Sequence, residues 1–237
     1  MDDICTIRLA GPGKNALGTD MMRFLIDALH QADGQPVLLT GVGDTFSAGL
    51  NLKELLRLDG AGIKAFLQLL DDLLQRVFYY PGPIAAAVNG HAIAGGCLLA
   101  LFCDVRIGID TPSARIGLNE VALGLAFPPQ LLAMVRRCLP YPQVETVVLD
   151  AELYPMHRAV ELGLLDGVAT DVVAVAEERL ARRAAHSPSA YRESKNALRG
   201  NRPETSPADA QNCVDRILPL WTSDAVKTKI KAALGQA

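Results

Sequence analysis

The chain has 237 residues, of which half are apolar and 21% are charged. This composition is typical of a globular protein with a large buried core and excludes an intrinsically disordered chain. The formal net charge of −3 argues against a general nucleic-acid-binding protein, although a local basic patch can still hold a phosphorylated ligand.

Three features predict a cytoplasmic protein without a membrane span. The first residues, MDDICTIRLAG, contain neither the basic start nor the apolar run of a signal peptide. The five cysteines are scattered without a C-x-x-C pair, so neither a disulfide framework nor a structural zinc site is expected. Residues 82–103 carry no charge, but a proline and two glycine-containing breaks interrupt them, which favours two short buried elements over a membrane helix.

The first half of the chain alternates strand-like and helical segments. Residues 4–9 and 36–40 are predicted strands, and TDMMRFLIDALHQA between them has apolar residues at helical spacing behind a Thr19/Asp20 cap. A predicted loop, GVGDTFSAG, leads to helical patterns in KELLRL and IKAFLQLLDDLLQRVFYY, which two prolines end. The run IAAAV is a predicted buried strand, CLLALF a short helix opened by a glycine pair, and VRIGI and ARIG further strands.

From residue 129 onward the pattern is mostly helical, with one strand-like piece at DGVA. The polar stretch GNRPETSPADA, residues 200–210, is the linker-like segment. Strands that alternate with helices favour crossover connections and a largely parallel sheet. The sequence therefore predicts an α/β protein, with a core domain over residues 1–185 and a helical C-terminal region over residues 186–237.

Three glycine-containing segments stand out: FSAGLNLKEL, NGHAIAGGCLLAL and IGLNEVALGL. Taken singly, a tight turn or a close helix–sheet contact explains each as well as a site does, and none is a dinucleotide fingerprint or a P-loop. Together, two loops that each direct a backbone N–H to one point would form an oxyanion hole, and the helix start at Gly95 adds partial positive charge there. Glu120 lies among apolar neighbours, so a raised pKa and a role as a general base are expected. The alternative for Glu120 is an exposed loop residue or a helix-capping residue.

The order and spacing of these segments resemble the crotonase (enoyl-CoA hydratase/isomerase) superfamily. The resemblance runs from about residue 4 to at least residue 170 and includes KNAL, FSAGLNLKEL, the NG-x-x-x-x-GG-C block, CDVRI and the N-E-x-x-L-G segment. It implies a crotonase-like spiral of ββα units with a helical C-terminal trimerisation region. It also implies an acyl-CoA thioester as the substrate.

The resemblance assigns roles to individual residues. The N–H groups of Leu50 and Gly95 are expected to form the oxyanion hole, and Glu120 is the expected catalytic base. Asn51 stands where relatives have aspartate, which removes an acidic side chain but leaves the backbone role intact. The residues expected to bind the substrate and its coenzyme A part are Ala48, Gly49, Asn51, Leu52, Lys53 and Gly96.

One departure from the family pattern indicates the reaction. Hydratases of the family have glutamate two positions after Gly96, where this chain has Leu98. Hydration commonly divides the work on water between two carboxylates, and only Glu120 is left here. The chain therefore looks most like the mitochondrial-type Δ3,Δ2-enoyl-CoA isomerases, which use one glutamate. The expected 1,3 proton shift from 3-enoyl-CoA to 2-enoyl-CoA requires no metal or other cofactor.

Other residues and functions remain as alternatives. His91 is expected to have a packing or loop role, and Asp104 to be a structural cap or an ion-pair partner. Lys227, Lys229 and Lys231 are expected on a solvated helix face, from which one could reach a coenzyme A phosphate across subunits. The rival functions are another one-carboxylate reaction, such as thioester hydrolysis, decarboxylation or weak hydration, and a non-catalytic acyl-CoA-binding scaffold. The apolar LPLW after the linker and the family pattern predict a homotrimer or hexamer.

Overall fold

The computed structural model describes residues 4–200 and 211–235, which contain two β-sheets. The strands are β1 (Cys5–Leu9), β2 (Val37–Gly41), β3 (Thr45–Ser47), β4 (Ile84–Val88), β5 (His91–Ile93), β6 (Val105–Ile109), β7 (Arg115–Gly117), β8 (Tyr154–Pro155) and β9 (Gly167–Ala169). The larger sheet has the order β1-β2-β4-β6-β9 and is parallel throughout. The smaller sheet has the order β3-β5-β7-β8, and only its β7–β8 pair is antiparallel. The predicted α/β class with a largely parallel sheet is confirmed.

Helices connect and cover these strands. Their bounds are Thr19–Ala32, Leu52–Leu55, Gly60–Phe78, Gly95–Leu101, Pro129–Cys138, Gln143–Leu149, Met156–Glu161, Val172–Ala184, Pro188–Arg199, Leu218–Thr222 and Asp224–Ala233. A single turn at Pro12–Asn15 precedes the first of them, and a π-helical turn at Cys213–Ile217 precedes the last two. The mostly helical pattern predicted beyond residue 129 is therefore confirmed for the described residues.

Strand β4, with the sequence IAAAV, shows how the larger sheet is buried on both faces. Ala85 and Ala87 pack with helix Val172–Ala184 on one face. Ala86 points to the opposite face and belongs to the large core that helix Gly60–Phe78 also lines. Successive side chains of a strand alternate between faces, and a parallel sheet covered on both faces needs an apolar residue at every position. This explains why the run carries no polar residue.

Strand β3 corrects the prediction that GVGDTFSAG is a loop throughout. Its three residues, Thr45 to Ser47, are buried and pair in parallel with β5. A strand of three residues between glycines is too short to show a two-residue alternation in the sequence. Its position matters because it leads directly into the segment that starts with Ala48.

The N-terminus of helix Thr19–Ala32 also differs from the prediction. Gly18 is the N-cap residue, and Thr19 is the first residue of the helix rather than its cap. The Glu54 carboxylate accepts a hydrogen bond from the Thr19 N–H at 3.1 Å. A carboxylate from the short helix Leu52–Leu55, distant in sequence, thus does the capping expected of Thr19 and Asp20, because its negative charge suits the positive end of a helix.

The uncharged stretch 82–103 folds as β4, β5 and helix Gly95–Leu101. No helix in the described part of the chain is long and apolar enough to cross a membrane. The cytoplasmic location and the division of the chain at residue 185 stay predictions. Apart from Gly200, the predicted linker at residues 200–210 lies outside the described residues.

Asp104 has both of the structural roles expected for it. Its carboxylate accepts the Ile84 N–H at 3.0 Å. It also pairs with Lys195 at 2.7 Å and with Arg199 at 2.6 Å. These contacts fasten the helix Pro188–Arg199 to the start of β6, so a charge buried at the base of the sheet is balanced by two cations.

Candidate active site

The carboxyl ends of three neighbouring parallel strands, β3, β5 and β7, lie at one edge of the smaller sheet. Leu50, Gly95 and Glu120 each follow the end of one of these strands by two or three residues. Ligands of parallel sheets bind at this edge, where loops from adjacent strands converge. The three residues on which the expected mechanism depends therefore come from adjacent strand ends.

In the loop after β3, hydrogen bonds fix the orientation of the peptide group that carries the Leu50 N–H. Leu17 forms a parallel bridge with Leu50: the Leu17 N–H donates to Gly49 O at 2.7 Å, and the Asn51 N–H donates to Leu17 O at 3.0 Å. The C=O and N–H of a trans peptide point in opposite directions, so the Leu50 N–H points away from Leu17. Gly49 has φ +89°, a conformation that favours glycine. Within the described chain the Leu50 N–H donates to no acceptor.

The second expected donor lies directly against the first. A Cβ at Gly95 would lie 2.8 Å from Leu50 Cδ2, and a Cβ at Gly96 would lie 2.6 Å from Ser47 O. A side chain at Gly96 would collide with the backbone of β3, so only glycine fits there, whereas a side chain at Gly95 would require the Leu50 side chain to shift. The Gly95 N–H, like that of Leu50, has no acceptor among the described residues. Ala94, which precedes it, has φ +52° and ψ −120°, a strained backbone of the kind often found at functional sites.

Glu120 is buried, with 4% of its surface exposed, and its Oε2 atom has no hydrogen-bond partner among the described residues. Burial raises the pKa of the Glu120 carboxyl to about 8, against an ordinary value of 4.5, and a hydrogen bond from its own backbone N–H opposes the rise. A pKa close to neutrality suits a group that both accepts and returns a proton. The alternative of an exposed loop glutamate is excluded by this burial.

One observation relates Glu120 to the helix that begins at Gly95. Burial raises the pKa of the Cys97 thiol, and the nearby Glu120 carboxylate raises it further, so the two side chains are close enough to interact. Leu98, at the position of the second hydratase glutamate, is 1% exposed and part of the apolar core. Leu98 therefore supplies no carboxylate at this position of the helix, whereas the buried carboxylate of Asp104 is neutralised by two cations.

Apart from Gly96, the residues expected to bind the substrate and its coenzyme A part lie in one segment, residues 48–53. The Ala48 N–H donates to Lys14 O at 3.0 Å, which fixes the start of the loop. Asn51 caps the helix Leu52–Leu55 by accepting the Glu54 N–H at 3.2 Å. Asparagine and aspartate cap helices about equally well, so the departure from aspartate keeps this structural role. Lys53 is exposed on the same short helix.

The turn that follows Glu120 is held by the C-terminal segment of the same chain. Trp221 donates its indole N–H to Ala126 O at 2.9 Å, and Lys229 donates to Ala122 O at 2.9 Å. Val226 packs beside Gly124, where an added Cβ would lie 3.1 Å from Val226 Cγ2. Sequence reasoning missed these contacts, since LPLW indicated only an apolar surface.

The other residues considered from the sequence have different positions. Lys227 lies 4.0 Å from Asp224 on an exposed helix face, and Lys231 is also exposed, as expected. His91 is at the start of β5, whereas Gly95 follows the end of that strand. His91 therefore lies at the opposite end of β5 from the N–H groups expected to form the oxyanion hole. No group of three or more His, Cys, Asp or Glu side chains in residues 4–200 and 211–235 is arranged to hold a metal ion.

The two sheets, the paired backbone donors and the buried carboxylate together define the crotonase class of proteins. Solved structures agree with this: human mitochondrial delta3-delta2-enoyl-CoA isomerase superposes with a TM-score of 0.87 at 25% sequence identity, covering 98% of this chain and 93% of that one. The profile of the enoyl-CoA hydratase/isomerase family matches residues 1–217. The chain therefore belongs to the enoyl-CoA hydratase/isomerase family and has the crotonase fold.

The sequence relatives include proteins named as isomerases and proteins named as hydratases. Human mitochondrial enoyl-CoA delta isomerase 1 is 28% identical over 170 residues, which cover 70% of this chain but only 56% of that protein. A putative enoyl-CoA hydratase of Thermus thermophilus is 34% identical over 174 residues, covering 70% of this chain and 67% of that protein. The chain thus matches little more than half the length of the human isomerase, and family membership alone does not choose between the two reactions.

Proposed function

We propose that the protein is an acyl-CoA double-bond isomerase that converts 3-enoyl-CoA to 2-enoyl-CoA with Glu120 as its single base. The observation that carries the proposal is the buried carboxylate of Glu120, one oxygen of which has no partner among residues 4–200 and 211–235, in a chain where Leu98 occupies the position of the second hydratase glutamate. A 1,3 proton shift needs one group that removes and returns a proton. Activation of water commonly needs two.

The mechanism follows from the positions of these groups. The Glu120 carboxylate removes a proton from C2 of the substrate, and negative charge develops on the thioester oxygen. The N–H groups of Leu50 and Gly95 stabilise that oxygen. One oxyanion donor is worth about 3–4 kcal/mol in the transition state. The protonated Glu120 then delivers its proton to C4, which gives the conjugated 2-enoyl-CoA.

The burial of Glu120 makes a specific isotopic prediction. An acid that is shielded from water exchanges its proton slowly, so part of the label removed from C2 reaches C4 of the same molecule. A 3-enoyl-CoA deuterated at C2 is incubated with the protein, and the product is analysed by mass spectrometry and NMR. Product with deuterium at C4 supports the single base. Conversion to a 3-hydroxyacyl-CoA, a free acid or a decarboxylated product would favour the corresponding rival reaction, and no conversion would favour the non-catalytic scaffold.

We also propose that the protein acts as a homotrimer or hexamer. An apolar depression on helices Pro129–Cys138 and Gln143–Leu149 includes Leu132 and Val144, and the neighbouring Tyr141 is 77% exposed. Exposed apolar surface of this kind often marks an interface between subunits. Sedimentation at micromolar concentration should give three or six times the mass of the 25.3 kDa chain. A single species at the monomer mass would contradict the proposal.

A further inference from the structure

The KNAL segment contributes to the family resemblance but has no role in the mechanism above. Its asparagine, Asn15, is buried, with 4% of its surface exposed, and has φ +59°. Asparagine is one of the few residues other than glycine that adopt this left-handed conformation without a large penalty. The backbone therefore turns sharply at Asn15, directly before the segment that pairs with the Leu50 loop.

The side chain of Asn15 connects three parts of the backbone. Its Nδ2 donates to Val42 O at 3.0 Å and to Thr45 O at 2.7 Å. Its Oδ1 accepts the Gly11 N–H at 3.3 Å. Two of these contacts flank the turn between β2 and β3, so the side chain fixes where β3 begins. Buried backbone groups left without such partners destabilise a fold, which makes an apolar residue unsuitable here.

The backbone of Asn15 and the side chain of Ser47 hold the other end of β3. The Ser47 hydroxyl donates to Asn15 O at 2.8 Å and accepts the Gly49 N–H at 3.2 Å. Ser47 is completely buried, so water does not compete for these hydrogen bonds. The chain is therefore held on both sides of Ala48, immediately before the peptide that carries the Leu50 N–H.

We propose that Asn15 and Ser47 are positioning residues that set the direction of the Leu50 N–H. The Gly49 N–H is held by Ser47 and the Gly49 C=O by Leu17, so both peptide planes that meet at Gly49 are fixed. Gly49 itself is intrinsically mobile, and the Leu50 N–H would lose its direction without these bonds. The inference rests on the proposed function, because it assumes that this N–H binds the thioester oxygen.

The test compares two variants that each remove one buried hydroxyl. Ser47→Ala removes the hydrogen bonds to Asn15 and Gly49. Thr40→Val is the matched control, because the Thr40 hydroxyl is also buried and donates to a distant carbonyl, Ala87 O, at 3.0 Å. A further variant, Asn15→Gly, keeps a residue that adopts positive φ but removes the donors to the β2–β3 turn.

The measurement is the affinity for a saturated acyl-CoA compared with its S-alkyl thioether analogue, which lacks the carbonyl oxygen. The wild type should prefer the thioester, and Ser47→Ala should reduce this preference about 3–10-fold, the range expected for one hydrogen bond. Its kcat for 3-enoyl-CoA should fall about 10–100-fold through misplacement of the donor, while the thioether affinity stays unchanged. Asn15→Gly should show the same loss of preference, and Thr40→Val should show none.

Each other result has a distinct meaning. An unchanged thioester preference and kcat in Ser47→Ala would overturn the inference while leaving the proposed function intact. An equal loss of thioester and thioether affinity would also overturn it, since this indicates a general structural role. A wild type without any thioester preference would overturn both the inference and the oxyanion hole of the proposed function.

Discussion

The two halves of the candidate site are held in different ways. The Leu50 loop is fixed by Leu17, Asn15 and Ser47, so its contacts lie within the first part of the chain. The turn after Glu120 is held by Trp221 and by other residues near the C-terminus, across sequence separations of 95 and 107 residues. Terminal segments open more readily than the centre of a domain. The position of the base is therefore expected to be more sensitive to distant changes than the position of the donors.

The two halves of the site also differ in whether their functional groups titrate. Leu50 and Gly95 contribute backbone N–H groups, which do not titrate in the range where proteins are stable. Glu120 contributes a carboxyl group whose pKa burial raises to about 8. The pH dependence of the activity should therefore arise from Glu120. Substitutions that disturb the N–H groups of Leu50 and Gly95 should lower the rate without shifting the pH dependence.

The largest effect is expected from removal of the base. Glu120→Gln keeps the volume of the side chain but cannot take a proton, so kcat should fall about 10²–10⁴-fold while acyl-CoA binding is retained. The exposed Glu193 provides the control Glu193→Gln, which should leave kcat unchanged. If Glu120→Gln kept more than a few per cent of kcat, the single-base mechanism would be wrong.

A comparison of substrates tests the absence of a second carboxylate at Leu98. Hydration of 2-enoyl-CoA by the wild type should be slower than isomerisation of 3-enoyl-CoA by about 10²–10⁴-fold, since general acid–base help is worth that much. Loss or gain of the conjugated absorbance follows both reactions. Leu98→Glu should raise hydration slightly and slow isomerisation, because a like charge near Glu120 raises its pKa further. Hydration by the wild type as fast as isomerisation would show that another carboxylate enters the site.

The importance of the C-terminal segment can be tested by removing the hydrogen bond that Trp221 donates to the turn after Glu120. Trp221→Phe loses the donor to Ala126 O and should lower kcat about tenfold by loosening the turn that carries Glu120. Tyr191→Phe removes an aromatic donor that contacts Asp104 at the start of β6 instead, so it serves as the control. Equal kcat losses in the two variants would indicate a general loss of stability rather than a specific effect on the turn.

The structural features that depend on local sequence were predictable. The helix Thr19–Ala32 and the strand IAAAV follow from apolar spacing, and burial of Glu120 follows from its apolar neighbours. Strand β3 was not predicted, since three residues carry no periodic signal. The capping of Thr19 by Glu54 was not predicted either, because the two are 35 residues apart in sequence.

The site residues divide in the same way. The roles of Leu50 and Gly95 depend on backbone groups, which leave no side-chain signal, so the expectation for them came from the family resemblance. Physical reasoning on the sequence had no means to bring Trp221 to the turn after Glu120, since that contact is made by tertiary packing. Asn15 was visible as part of KNAL, yet its function required knowledge of the three carbonyl and N–H groups around it.

The last expected effect is a pair of opposite pH trends that arise from Glu120 alone. In the free protein kcat/KM should rise with pH to a plateau, with an apparent pKa near 8, because the base must be ionised to accept a proton.

The free energy of unfolding should change with pH in the opposite direction. The folded state holds the proton of Glu120 up to about pH 8, whereas the unfolded chain releases it near the ordinary value of 4.5. The folded state therefore binds more protons between these values, and the free energy of unfolding should decrease as pH rises through them. Denaturant unfolding of wild type and Glu120→Gln at several pH values between 5 and 9 isolates this contribution, because all other titrating groups are shared. The stability of the variant relative to the wild type should increase over this range, on the order of a few kcal/mol in total. A constant difference would mean that Glu120 is ionised in the folded protein at pH 5, and the pH dependence of kcat/KM would then need another group.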